Sequence, residues 1–234
     1  MPPTLRVLSA GAAQGLIESL STRFRDETGA ALQVAYGPVG VTRDAVLNGS
    51  PSDAVILSEA ITAQLVGSGH LAGETKTALG RVHTAICTRE GMPAPKISTP
   101  AELTESLLAA DQICIADPDR ATAGIHFTRV LKQLAIHDQV RDRMSAHPNG
   151  AAVARAVASS TAVHVLGCAQ VTEILATAGV NLVGRLPGAL DLATTYTAAV
   201  ATRAERPDLA RSFIELITGR DVAVARHHAG FLGV

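Results

Sequence analysis

The stretch Leu5-Arg-Val-Leu-Ser9-Ala-Gly11-Ala-Ala-Gln14-Gly15 decides how the rest of the chain is read. An apolar strand, Leu5 to Ser9, runs into a turn of small residues and then into an amphipathic helix from Leu16 to Thr28. A strand that ends at a helix N-terminus leaves backbone N–H groups without intrahelical partners under the positive end of the helix dipole. Small side chains let an anion reach those groups, so Ser9, Gly11 and the amide of Ala12 form a candidate carboxylate or oxyanion pocket.

Outward from that start the same unit repeats. Strands are expected at Leu32 to Tyr36 and Ala54 to Leu57, with helices at Val41 to Asn48 and Ala60 to Ser68. Alternation of this kind predicts an α/β fold with mixed, mostly parallel sheets. Thr28-Gly29 and Ser68-Gly69 read as helix stops, and Ser98-Thr99-Pro100-Ala-Glu102 as a helix start with cap, N1 proline and early acid. Arg81 to Thr88 reads as a strand, followed by the turn-rich Glu90 to Lys96. A second series follows, with strands at Gln112 to Ala116 and Ala162 to Cys168 and helices at Ile125 to Leu134 and Gly150 to Ser159. Asp191 to Ala201 reads as a long strand and Pro207 to Thr218 as a helix. The division expected is a discontinuous first lobe, 1–82 with 195–234, and a second lobe, 83–194, with a ligand cleft between them.

Composition narrows the function. Twenty basic residues face 21 acidic ones in 234, for a net charge of −1, and the rings are four Phe and two Tyr. That balance lacks the basic stripe and stacking aromatics of a nucleic-acid reader. No run reaches the ~20 apolar residues of a membrane span. Met1-Pro-Pro-Thr-Leu5 lacks the apolar core of a secretory leader, so a cytoplasmic location is expected, or a periplasmic one if a leader was removed. Cys87, Cys114 and Cys168 form no CxxC pair and sit in apolar strand contexts, which suits buried thiols. No His or carboxylate spacing builds a metal site, and no Walker loop or dinucleotide fingerprint is present, so no cofactor is expected.

Several pieces in order resemble the type II solute-binding proteins, in particular the molybdate-binding branch. They are the opening strand, turn and helix; Tyr36-Gly37-Pro-Val39-Gly40; Asn48-Gly49-Ser-Pro-Ser-Asp53; Ala116-Asp117-Pro118 with Thr122-Ala123-Gly124; Leu166-Gly167; Tyr196; and Ala210-Arg-Ser-Phe213 with Ala229-Gly230-Phe231. The resemblance implies a two-lobed periplasmic-binding-protein-like fold and a small anionic ligand. In molybdate binders of this family two serines, backbone amides and a tyrosine hydroxyl hold the oxyanion. Here the serine positions correspond to Ala12 and to Pro38 and Val39, while Tyr196 and the helix starts at Ala12, Ala123 and Gly150 remain. Each missing hydrogen bond to a charged group is worth roughly 1.5–3 kcal/mol, so a larger ligand with several carboxylates suits these residues better. Some enzymes of this fold, the aconitate isomerases of the binding-protein type, move a double bond by a 1,3-proton shift. The expected function is a cofactor-independent isomerase or tautomerase of a small di- or tricarboxylate. The alternative is a non-catalytic receptor for an oxyanion or carboxylate, acting as a sensor or feeding an ABC permease.

For such a proton shift the candidates are His126, read as lying in the first turn of its helix, and Asp117 at a strand end. Each has an ordinary reading as well: a partly exposed helix histidine and a turn-capping aspartate. Arg120 and Arg43 are candidate carboxylate clamps or surface cations. Of the polar residues at element ends, Ser9 and Thr122 are preferred as donors over Gln14, Asn149 and Gln170, with backbone donors expected at Gly150. Asp53 reads as a loop-fixing residue, and His83 and His164 as core histidines with backbone partners. His227 and His228 are expected to be solvated.

Overall fold

The computed structural model describes residues 3–233. The chain runs β1 (Thr4–Ala10), α1 (Gln14–Thr28), β2 (Ala31–Gly37), α2 (Val39–Leu47), β3 (Ala54–Ser58), α3 (Glu59–Gly67) and β4 (Thr77–Arg89). Next come α4 (Pro100–Ala109), β5 (Gln112–Ala116), α5 (Thr122–Gln133), α6 (His137–Val140), β6 (Met144–His147) and α7 (Gly150–Ser159). The series closes with β7 (Val165–Gln170), α8 (Val171–Leu175), β8 (Val180–Arg185), β9 (Ala193–Val200), α9 (Pro207–Thr218) and α10 (Ala223–His228). Two compact units result, 1–82 with 194–234, and 83–193.

In the first unit the strand order is β2-β1-β3-β9. β1 pairs in parallel with β2 and β3, and β9 returns antiparallel to β3 with Tyr196 opposite Ser58. β1 buries Leu5 and Val7, and α1 presents Leu16, Ile17, Leu20 and Phe24 inward at the i+3 and i+4 spacing of an amphipathic helix. Phe24 meets Phe213 of α9 edge to face at 5.5 Å. Buried Asp53 fastens this unit by accepting from the backbone N–H groups of Arg6 at 2.9 Å, Glu205 at 2.9 Å and Arg206 at 3.0 Å. It thereby fixes the loop before β3 to the start of α9.

In the second unit the order is β4-β7-β5-β6, with β8 also on β4. β5 pairs in parallel with β6 and β7, and β4 is antiparallel to β7 and β8. Successive side chains of β5 serve opposite faces of this sheet. Ile113 and Ile115 pack with Phe127 of α5 and Leu166, while Cys114 and Ala116 pack with Val153 and Val157 of α7. All three cysteines are free and buried, and burial pushes the Cys87 thiol up to about 12.

Several boundaries shift for local reasons. A 3-10 turn, Gly11–Ala13, precedes α1. α5 starts at Thr122 instead of Ile125, so His126 lies in the second turn, beyond the first-turn amides where the dipole acts most strongly. β7 begins at Val165, not Ala162, because the Ser160 hydroxyl accepts from the Ala162 amide and holds that segment in a turn. Asp191 lies outside β9, its amide donating back to the Gly188 carbonyl at 3.2 Å. β6, α6, β8 and α8 were not foreseen.

Candidate functional site

At the C-terminal ends of the parallel strands of the first unit, the pieces expected to form a pocket are present, but two are closed. The Ser9 hydroxyl is fully buried and donates to the Ala10 carbonyl at 2.9 Å, so it is not the open ligand donor expected from the sequence. Tyr196 is only 2% exposed and stacks edge-on against Phe231 at 6.5 Å. What remains is backbone: Gly11 and Ala12 in the 3-10 turn, and Val39 at the start of α2 after Gly37 and Pro38. Ala12 and Val39 are themselves buried hydrocarbon. Arg43 lies on α2, where its Nη2 and Nε bond the neighbouring Asp44 carboxylate at 2.7 and 3.0 Å instead of standing free. A separate cavity of about 480 Å³ opens in this unit against Arg6, Ser52, His70 and Arg203, and none of the expected ligand residues lines it.

The second unit has two helix starts at the ends of β5 and β6, and they differ. α5 begins after Ala121 with no side-chain cap, and Thr122 is its first residue. The Thr122 hydroxyl makes no hydrogen bond among the described residues. Ala123 and Gly124 are buried beneath it, and a Cβ at Gly124 would overlap the carbonyl oxygens of Ala116 and Asp117. Only glycine lets α5 sit this close to the end of β5. Asp117 proves to be a turn former: its Oδ1 accepts from the amides of Asp119 at 2.8 Å and Arg120 at 3.0 Å. Arg120 is exposed on the same turn.

The start of α7 is already filled. Asn149 caps it by accepting from the Ala152 amide at 2.9 Å, and the Gly150 amide donates to the Glu173 carboxylate at 3.1 Å. A Cβ at Gly150 would overlap Glu173 Oε2. Gly150 therefore serves a buried internal anion, which corrects its expected role as a backbone donor for a ligand. Burial drives the Glu173 carboxyl up to about 7, against the lowering effect of the Gln170, Gly150 and Ala151 amides. Glu173 was missed in the sequence because nothing local marks a glutamate 23 positions after a helix start as its partner.

Beside it lies a second polar feature. Gln170 ends β7, is 2% exposed, and neither its Nε2 nor its Oε1 has a hydrogen-bond partner. Thr84, its cross-strand partner on β4, and Thr172 carry buried hydroxyls that are also unpartnered. Cross-strand partners present their side chains on the same face of the sheet. A buried amide with no partner costs on the order of 1–3 kcal/mol, so this strand end concentrates polar groups whose hydrogen bonds are unmet.

His126 is half-buried on α5, and its Nε2 lies 2.7 Å from the Leu190 carbonyl oxygen. A carbonyl only accepts, so Nε2 carries the proton and Nδ1 holds the basic lone pair. His83 is buried as expected, but its partner is the Asp191 carboxylate at 2.8 Å, not backbone. His164 is exposed and lies 3.4 Å from Asp111, which corrects its reading as a core histidine. His227 and His228 are exposed. Among the described residues no group of three or more His, Cys, Asp or Glu side chains is placed to hold a metal ion, and no helix is long and apolar enough to cross a membrane.

A profile of the family described as bacterial extracellular solute-binding protein matches residues 5–232. The chain belongs to that family. It is 30% identical, over 97% of its length and 87% of the relative's, to an aconitate isomerase from Pseudomonas sp.. Among solved structures it is similar to the periplasmic molybdate-binding protein of Azotobacter vinelandii, with a TM-score of 0.79 and 19% identity, covering 98% of this chain and 99% of that one. It is also similar to the sulfate-binding protein of Mycobacterium tuberculosis, with a TM-score of 0.77 and 14% identity, covering 99% and 87%. These neighbours establish a periplasmic-binding-protein-like α/β fold and, at such identities, nothing finer.

Proposed function

We propose that this solute-binding family member is a cofactor-independent isomerase that shifts a double bond in a small tricarboxylate of the aconitate type. The observation that carries the reading is the 30% identity to an aconitate isomerase across nearly the whole chain, against 14–19% to the oxyanion binders. The residues are consistent with it. Ala12 and Val39 offer hydrocarbon where an isolated tetrahedral oxyanion would need hydroxyl donors, and the unpartnered Gln170 amide offers both a donor and an acceptor to a larger, multifunctional ligand.

The chemistry requires three things. A base takes a proton from the methylene carbon, the C–H electron pair enters the allylic system, and the double bond moves by one position. The developing charge spreads onto a carboxylate held by N–H donors, and an acid returns a proton to the former vinylic carbon. The open start of α5 supplies backbone donors at Thr122 and Ala123. His126 supplies an imidazole whose Nδ1 is the nitrogen left to take the proton, its ring oriented by Leu190.

Calorimetry with trans-aconitate and with molybdate, alongside turnover of cis- and trans-aconitate, tests the reading. Interconversion of the two isomers is expected, with aconitate bound more tightly than molybdate. His126→Ala is expected to lower turnover by about 100-fold or more while aconitate still binds. Tight molybdate binding with no turnover would instead favour a receptor, which family membership and the oxyanion-binding neighbours also accommodate.

A further inference from the structure

Two histidines of the second unit hang from consecutive residues. His126 bonds the Leu190 carbonyl, and His83, on β4, bonds the side chain of Asp191. Both Asp191 oxygens lie near His83 Nδ1, at 2.8 and 3.0 Å. The carboxylate accepts, so Nδ1 carries the proton and Nε2 is the basic nitrogen, as in any histidine oriented by a carboxylate. Among the described residues Nε2 has one hydrogen-bond partner, the Arg185 guanidinium at 3.3 Å, and that same arginine lies 4.0 Å from Asp191. The Arg185 side chain is 55% exposed, so His83 Nε2 is reached by displacing a surface cation instead of core packing.

A carboxylate, an imidazole and an exposed guanidinium, each close to the other two, form a unit with a use. The exposed cation can exchange the imidazole nitrogen and the distant edge of the Asp191 carboxylate for an anionic ligand, and doing so uncovers a base beside the anion it has bound. This arrangement goes unused by the function proposed above, and resting on that function, we propose that His83 is the second proton-transfer residue of the isomerase. Asp191 is its positioning residue, and Arg185 holds the substrate carboxylate next to the carbon that gains or loses the proton. His126 and His83 then divide the 1,3-shift. One takes a proton from the methylene carbon as the C–H pair moves into the allylic system. The other, arriving as imidazolium, gives its proton to the far allylic carbon. No electron is gained or lost by the protein, and solvent exchange returns both rings to their starting forms.

The test follows proton NMR of cis- and trans-aconitate in deuterated buffer with the full chain and its variants. His83→Gln is expected to lose interconversion by about 100-fold or more with aconitate affinity within a few fold of wild type. From one of the two isomers, either His83→Gln or His126→Ala should still exchange deuterium into the starting compound without moving its double bond. Asp191→Asn removes the carboxylate that orients the ring, so kcat should fall about tenfold with KM unchanged, and Asp191→Glu should restore most of it; a merely structural role would not give this split or be rescued. Arg185→Met, an exposed change that leaves the core untouched, should raise KM about tenfold with a smaller effect on kcat. If the wild type interconverts the isomers and His83→Gln stays within threefold of it, or Arg185→Met leaves KM unchanged, the assignment is overturned while the isomerase reading stands. If the wild type shows neither interconversion nor exchange, the isomerase reading falls, and this assignment with it.

Discussion

The starts of α5 and α7 are built alike in sequence and opposite in chemistry. Each follows a strand and opens on small residues, Thr122-Ala123-Gly124 in one and Gly150-Ala151-Ala152 in the other. At α7 the amides are satisfied from within, by Asn149 and the buried Glu173 carboxylate. At α5 no side chain caps the helix, and glycine is required only so that the helix can crowd the end of β5. A helix start is an anion site only when the protein has not already placed an anion or a cap there, and of these two starts α5 meets that condition.

The largest effect that sharpens this contrast comes from Gly124→Ala. The added Cβ meets two backbone carbonyls that cannot rotate away, so a loss of about 3 kcal/mol or more is expected in urea unfolding. A loss below 1 kcal/mol would mean that α5 is not held against β5 as described.

Next is the titration of Glu173. Unfolded, its carboxyl ionises near 4.5, and in the fold near 7. Between those values the folded state binds more protons than the unfolded one, so stability falls as pH rises from about 4.5 to about 7 and levels off above it. The full change is on the order of 3 kcal/mol. Melting temperatures measured across that range for the wild type and Glu173→Gln check it: the variant should lack this component of the slope, and parallel curves would show that Glu173 stays ionised throughout.

The smallest effects set the two starts directly against each other. Asn149→Ala should cost about 1 kcal/mol through loss of the α7 cap, with little change in aconitate binding. Ala121→Ser, which gives α5 the cap it lacks, should gain up to about 1 kcal/mol while weakening aconitate binding. If Ala121→Ser leaves binding untouched, the open start of α5 is not where the carboxylate sits.

Local chemistry made much of the fold legible. Gly29 takes a left-handed φ of 69° at the end of α1, and Thr99 with Glu102 forms the reciprocal cap that their spacing announces. β1, β2 and β5 stood out as apolar runs between small-residue turns. β6 and β8 did not, because Met144–His147 and Val180–Arg185 are short strands with much exposed or half-exposed polar surface and no clean alternation. The site was harder still. Ser9 and Tyr196 have the right residue types, but their burial depends on neighbours the sequence does not mark. The turn chemistry of Asp117 is legible in the sequence, since its partners are two and three positions away. The partners that matter most lie far along the chain: Gly150 with Glu173, His126 with Leu190, and His83 with Asp191, 108 positions on. Only the folded sheet brings these together.

Proton NMR of the wild-type protein with each aconitate isomer in deuterated buffer tests the central claim most directly. Appearance of the other isomer with deuterium at an allylic carbon is the predicted result. Unchanged spectra over hours at high protein concentration, with the ligand bound, would contradict it and leave a receptor in place of an isomerase.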